Sequence, residues 1–311
     1  MYKFLFFIFS LSLLILNISS LKVFYAWEQV STLWNGNINP LSLFGHPHFP
    51  RYILAYPGFL LQELLPINGF SIYISVFFAI NVLLLTKVSL LINHRRPSIF
   101  IFTIFIATHM AMNGRGVIAW TSWLICLWVC LKLKKKIARP FTEMGWITLS
   151  CWFAAVSTGV FILVITTFII YLSKNIKLGE IAKSEGKVRT IFFVLPISYV
   201  FLHYFIVAIE KNLDFYGGGV GAVFNMLQHG LGIVLINLTP INLLLIITMG
   251  FLSVFIVALV TLGRSMTDHE LFIVLPLMGG FFGYTVLTLI IPSLFLRISA
   301  LRFRLISINS K

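Results

Sequence analysis

Two arginines in this sequence have the chemistry and the surroundings to bind phosphate. Arg115 follows Asn113-Gly114 and precedes Gly116, at the start of an apolar stretch. Arg51 follows His46-Pro47-His48-Phe49-Pro50, whose two prolines restrict the direction of the chain. A guanidinium group is a planar, permanently charged fork that matches pairs of phosphate oxygens. We predict that Arg51 and Arg115 clamp a diphosphate; the alternatives are a membrane-interface anchor for Arg115 and an ordinary loop residue for Arg51.

Three further residues are candidates for a catalytic base. Glu63 is the only acid in a stretch that we predict to be embedded in a membrane. Asp214 and His229 belong to a glycine-rich connection, and histidine titrates near neutral pH. A structural role is the alternative for each. His46 and His48 are spaced as metal ligands are, but no acid lies near them, so we predict no metal site and no cofactor.

The composition indicates that these residues are positioned by membrane helices. Of 311 residues, 59% are hydrophobic and 10% are charged, against about 25% charged in soluble domains. The apolar residues form blocks of roughly 15 to 25, the length that crosses a bilayer. The net charge of +14 comes from short basic clusters between these blocks, which is typical of cytoplasmic anchors and excludes a nucleic-acid partner. We predict an all-α, polytopic bundle of about eight to ten transmembrane segments, with short or re-entrant helices, forming a single domain over residues 1–311.

The basic clusters predict which connections lie inside. The positive-inside rule assigns residues 93–98, 132–143, 174–189 and 263–270 to the cytoplasm, and residues 26–51 and 210–232 to two outer loops. The predicted spans are 4–25, 70–92, 98–112, 116–132, 190–209, 240–262 and 271–292. Residues 52–65 are too short to span and predict an interfacial or re-entrant helix. In this topology all five candidate site residues face the same outer compartment.

Two segments do not fit simple crossings. The apolar run 144–173 has basic residues on both flanks, which predicts a hairpin of two short helices, 144–156 and 160–173, turning at Ser157-Thr158-Gly159. The C-terminal tail carries Arg297 and further basic residues that should lie inside, whereas the count of spans leaves them outside. An additional turn, at Gly279-Gly280 or at Pro292, would remove this conflict; a miscounted earlier element is the other explanation.

Two stretches of the sequence, together with the short-helix pair that follows them, resemble the Wzy and EpsG type of polysaccharide polymerases. These stretches are Arg51-Tyr52-Ile53-Leu54-Ala55-Tyr56-Pro57 and Asn113-Gly114-Arg115-Gly116-Val117-Ile118-Ala119. The resemblance covers about residues 45 to 235. At the break between the short helices this chain has Ser157-Thr158-Gly159, where relatives often place a histidine, so a histidine-based role there is not expected.

The resemblance implies an enzyme of the bacterial inner (cytoplasmic) membrane that polymerises lipid-linked repeat units into O-antigen or capsular polysaccharide at the periplasmic face. Its partners would be undecaprenyl-pyrophosphate-linked glycans as donor and acceptor, membrane lipid, and a chain-length regulator protein. Two alternatives are a transporter or flippase of lipid-linked sugars and a membrane acyltransferase that modifies surface glycans.

Overall fold

The computed structural model describes residues 28–39, 42, 49–66, 69–94, 96–110, 114–137, 139–175, 267–279 and 284–298, with single residues between 203 and 225. Within these residues every long regular element is an α-helix, which confirms the all-α part of the prediction. The helices are α1 (Glu28–Asn35), α2 (Phe49–Leu64), α3 (Gly69–Asn93), α4 (Ile99–Met110), α5 (Gly114–Lys134), α6 (Pro140–Ala154), α7 (Thr158–Asn175), α8 (Asp268–Gly279) and α9 (Tyr284–Thr288). After one turn residue at 289 the chain is helical again to Ile298.

Two of the described helices, α3 and α5, are long and apolar enough to cross a membrane. They contain 25 and 21 residues. At 1.5 Å per residue they reach about 37 and 31 Å, against a hydrocarbon layer of ~30 Å. The predicted segments 70–92 and 116–132 coincide with them. The predicted spans 4–25 and 240–262, and all of 190–209 except residues 203, 206 and 207, lie outside the described residues.

Helix α5 forms the centre of the described bundle, since almost all of its side chains are buried. Asn81 of α3 donates from Nδ2 to the Val117 carbonyl at 2.9 Å, and Lys87 of α3 lies over the Trp128 ring at 4.7 Å. From the first contact to the second, the residue numbers increase in both helices, so α3 and α5 run in the same direction. Helix α6 runs the opposite way, because its Trp146 ring meets Trp128 near one end while the chain just beyond α6 meets the first turn of α5.

The predicted hairpin of two short helices is confirmed. Helices α6 and α7 pack against each other and are joined by the short turn 155–157, in which the Ser157 N–H donates to the Ala154 carbonyl at 3.0 Å. Their 15 and 18 residues reach about 22 and 27 Å. Helix α7 lies beside α5, where the Cys126 thiol approaches the Val164 carbonyl at 3.6 Å. The turn is therefore held inside protein, which makes polar backbone there tolerable.

The prediction of one span over residues 271–292 is wrong. Helix α8 ends at Gly279, α9 begins at Tyr284, and the two pack against each other. A Cβ atom on Gly279 would lie 3.0 Å from a Val286 methyl carbon, so this close approach requires the absence of a side chain. The break in the described helices follows Gly279, as the first of the two alternatives predicts, whereas Pro292 lies within helical residues.

The start of α8 and the end of the last described helix lie at the same end of the bundle, as their contacts show. Lys134 Nζ and Asp268 Oδ2 are 2.7 Å apart, and the Tyr171 hydroxyl donates to Asp268 Oδ1 at 2.7 Å. Asn93, at the end of α3, donates from Nδ2 to the Leu296 carbonyl at 3.3 Å. We call this end, where Asn93, Lys134 and Asp268 lie, the basic end. Arg297 follows Leu296 directly and so lies at the same end.

Two predicted loops are shorter than expected. Residues 26–51, predicted as an outer loop, contain the helix α1 and the first turn of α2, which begins at Phe49 and has Pro50 at a position where a helix tolerates proline. Residues 132–143 contain the last turn of α5 and the first turn of α6, leaving a short connection. The predicted inner loop 174–189 and most of the outer loop 210–232 lie outside the described residues.

Candidate functional site

Arg115 lies in the first turn of α5 and is held by the hairpin turn. Its Nε donates to the Val156 carbonyl at 2.7 Å. This carbonyl follows the C-terminus of α6, where a helix presents negative dipole charge and accepts hydrogen bonds from cations. Gly114 and Gly116 are buried on either side. The bond uses one of the five N–H donors of the guanidinium and fixes the plane of the group.

Arg51 lies in the first turn of α2, and its position follows from how α2 docks on α3. Gly58 faces the Phe70 ring so closely that a Cβ atom would lie 2.7 Å from it. The Tyr73 hydroxyl donates to the Leu54 carbonyl, and the Phe70 N–H donates to Gln62 Oε1 at 2.9 Å. Because later residues of α2 meet earlier residues of α3, the two helices are antiparallel.

This antiparallel docking brings the first turn of α2 towards the hairpin. Asn81, which bonds the first turn of α5, lies twelve residues after Gly69. Helix α3 therefore begins about 18 Å before the level of Val117, and α2 packs along that first half. The N-terminal turn of α2 is the part of that helix that reaches furthest along α3. Helix α2 also contacts α6. The ring of Phe77 in α3 meets Phe153 of α6 at 5.1 Å between centroids, just before the turn that holds Arg115.

The two arginines act on each other electrostatically. Burial, and then the positive charge of Arg115, lower the pKa of Arg51 to about 9. Both residues are partly buried. Arg51 is still charged at neutral pH, so two like charges are held in one region where water screens them incompletely. An anion that contacts both guanidinium groups would offset their repulsion, which makes this region a candidate site for phosphate oxygens. We call it the arginine end of the bundle.

Aromatic side chains brace the helices that position Arg51. The Trp34 ring of α1 stacks on Phe59 at 5.3 Å and meets Tyr56 edge-on at 5.2 Å. The Tyr52 hydroxyl donates to the Ile38 carbonyl at 3.1 Å, which ties the chain after α1 to the second turn of α2. Trp34, Tyr52 and Tyr56 therefore join α1 to α2.

The structure does not bring Glu63 to the arginines. Glu63 is exposed near the C-terminus of α2, twelve residues and therefore about 18 Å along the helix from Arg51. Asp214 is exposed, and His229, His46 and His48 lie outside the described residues. Among the residues that the structure describes, no cluster of histidines, cysteines and acids could hold a metal ion.

Sequence reasoning missed the residues that position the two arginines. Asn81 and Val156 supply the polar contacts, and Gly58 and Gly69 supply the close approach of α2 to α3. A buried asparagine in the middle of an apolar helix was the available signal, since such a polar group needs a partner on a neighbouring helix. The carbonyl of Val156 gave no signal, because any residue has one.

No protein family, characterised protein or solved structure matches the chain. The function is therefore argued from the site itself. Two partly buried guanidinium groups, fixed by different helices, can bind a diphosphate and stabilise negative charge that develops on it.

Proposed function

We propose that this chain is a multi-pass enzyme of the bacterial inner membrane that polymerises undecaprenyl-pyrophosphate-linked oligosaccharide repeat units into O-antigen or capsular polysaccharide. The observation that carries the proposal is that the first turns of α2 and α5, with Arg51 and Arg115, lie at the same end of the bundle beside the hairpin turn. The positive charge of Arg115 also contributes, after burial, to the lowered pKa of Arg51. A lipid-linked sugar diphosphate supplies the negative charge that this arrangement requires. The membrane-capable helices α3 and α5 suit a substrate that is anchored in lipid.

In the proposed reaction, a hydroxyl oxygen of the acceptor repeat unit attacks the anomeric carbon of the donor glycan. The bond between that carbon and the diphosphate oxygen breaks, and undecaprenyl pyrophosphate leaves with the bonding electron pair. Negative charge therefore grows on the diphosphate, where the two guanidinium groups would stabilise it more strongly than in the ground state. The donor already contains its leaving group, so the reaction needs neither a nucleotide nor a metal-bound water.

The acceptor hydroxyl must also lose its proton to a base. Of the three predicted bases, Glu63 is distant along α2 from the arginine end, which favours Asp214 or His229. Both belong to the glycine-rich connection predicted to lie in the outer compartment.

The proposal is tested by replacing Arg115 in the organism that makes the polymer. Arg115→Ala removes the charge and the bond to Val156, and we expect loss of high-molecular-weight surface glycan by about 10²-fold or more, as for removal of one transition-state donor. Arg115→Lys keeps the charge but loses the paired geometry, so we expect partial activity. The control is Arg139→Ala, which removes an exposed arginine at the basic end. Chain length is read from gels of surface glycan, with membrane abundance measured in parallel.

Two results would contradict the proposal. Full-length polymer in Arg115→Ala at normal abundance would remove this residue from the mechanism. Loss of single repeat units from the outer face, together with loss of polymer, would instead indicate transport of the lipid-linked unit, because a polymerisation defect leaves delivery of single units intact.

A further inference from the structure

A second cationic site lies near the basic end, around the indole ring of Trp128. The ammonium of Lys132 lies 4.1 Å from the centre of this ring and that of Lys87 lies 4.7 Å from it. Lys132 is one helical turn after Trp128 on α5, whereas Lys87 comes from α3. The Trp146 ring of α6 meets Trp128 edge-on at 5.3 Å, so residues from three helices build the site.

The site carries an excess of positive charge. Lys132 forms an ion pair with Glu143, whose side chain is buried. Lys87 adds a second cation, and none of the ion pairs between described residues includes it. Two ammonium groups that share one ring repel each other, and the ring's quadrupole attracts both only weakly. One further negative group would therefore be favourable beside Lys87.

The surroundings of Lys87 indicate what carries that group. Lys87 is exposed on α3, and Leu83 and Leu90, one turn before and after it, are also exposed. Val76 continues the same apolar surface, with half of its side chain exposed. This is the surface that a membrane helix offers to acyl chains, interrupted by one lysine beside an indole. Lysine and tryptophan together are typical of the headgroup level of a bilayer.

We propose that Lys87, Trp128 and Lys132 bind the phosphate of an anionic phospholipid, whose acyl chains lie along Leu83 and Val76. The inference requires α3 and α5 to cross a membrane and is independent of the proposed polymerase activity. Lys87 and Lys132 hold the phosphate oxygens, and Trp128 lies beneath the headgroup. Glu143 fixes Lys132 without neutralising Lys87.

The test is retention of lipid by the purified full-length protein in detergent, measured by native mass spectrometry with phosphatidylglycerol or phosphatidylcholine added. The wild type is expected to retain phosphatidylglycerol in preference to phosphatidylcholine. Lys87→Gln is expected to lower phosphatidylglycerol retention about fivefold, the effect of one lysine near an anionic surface. Lys87→Arg should restore it. Lys135→Gln, which removes an exposed lysine in the connection after α5, should leave retention unchanged.

Equal losses in Lys87→Gln and Lys135→Gln would overturn the proposal, because they would indicate diffuse attraction to the whole basic end. Equal retention of the two lipids by the wild type would also overturn it. A third contradicting result is complete displacement of phosphatidylglycerol by millimolar inorganic phosphate, since the site would then bind the free anion without using the acyl chains.

Discussion

The two ends of the bundle treat positive charge in opposite ways. At the basic end the cations meet acids that come from other helices, as in the pairs Lys132–Glu143 and Lys134–Asp268. At the arginine end, burial lowers the pKa of Arg51 to about 9, and the positive charge of Arg115 adds to this shift. Paired charges join helices at modest cost, whereas like charges brought together oppose folding. The difference teaches that the charges of Lys132 and Lys134 join helices, whereas an anion at the arginine end would offset the repulsion between Arg51 and Arg115.

Like charges can be held together only where the surroundings fix them. Arg115 is fixed by the Val156 carbonyl, and Arg51 by the docking of α2 on α3 through Gly58 and Tyr73. An anion that binds both arginines would stabilise the folded state as well as occupy the site.

The comparison between the basic end and the arginine end would fail if the two ends did not face opposite compartments. A reporter active only in the periplasm should be active when fused after Asn225 and inactive when fused after Lys136. The physical reason is the basic cluster after α5, which favours the cytoplasm. The expected difference is all-or-none. The reverse pattern would place Arg115 in the cytoplasm and exclude the proposed outer-face reaction.

The sequence was sufficient to predict the long apolar helices and the hairpin, because the length of the apolar blocks and the basic clusters between them indicate both. The basic flanks of residues 144–173 forced a turn, and the turn occurs at 155–157, next to the predicted Ser157-Thr158-Gly159. The same charge argument signalled a further turn near the C-terminus, although the sequence left its position open between Gly279-Gly280 and Pro292. Only the packing of α8 on α9, where Gly279 faces Val286, distinguished them.

The candidate site was predictable only as a set of residues. Arg51 and Arg115 were selected for their chemistry, but their approach to each other depends on the antiparallel docking of α2 on α3. The sequence analysis predicted a loop up to Arg51 and therefore did not predict this docking. Glu63 was selected because it lies in an apolar stretch, and helix geometry carries it away from Arg51. The phosphate-binding role of the arginines and the identity of the base stay predictions.

A smaller effect, on stability, tests whether docking of α2 supports the arginine end. In Gly69→Ala the new Cβ atom would lie 2.0 Å from the Leu61 carbonyl oxygen, which is backbone and cannot move aside cheaply. We expect destabilisation by about 2 kcal/mol, together with weaker polymer formation because Arg51 is displaced. The measurement is thermal unfolding of the detergent-solubilised protein, with glycan gels in parallel.

The matched control for that change is Gly145→Ala in α6. Nothing lies within 4 Å of a Cβ atom there, so alanine meets no obstacle. Its better helix propensity should stabilise the protein by up to about 1 kcal/mol. If both alanines had the same effect on unfolding, the close packing of α2 on α3 would not be what holds Arg51 in place.

The smallest expected effects distinguish the two ion pairs of the basic end from each other. Glu143 is 4% exposed and lies in the first turn of α6, where helix dipole charge also favours an acid. Glu143→Gln removes the negative charge beside the partly buried ammonium of Lys132 and keeps only a neutral acceptor. We expect a loss of about 1–2 kcal/mol, below the usual value for a buried pair because Lys132 can reach water. Unfolding in detergent at low salt measures it.

Asp268→Asn is the comparison, because its partner Lys134 is half exposed and the new amide oxygen can still accept from Tyr171. Exposed pairs contribute about 0–1 kcal/mol, and salt screens them. The effect of Asp268→Asn should therefore vanish at about 1 M salt, where the Debye length falls to ~3 Å, while that of Glu143→Gln persists. If salt abolished both effects, Glu143 would be a surface partner of Lys132, and the basic end would lack the buried charge pair that sets it apart from the arginine end.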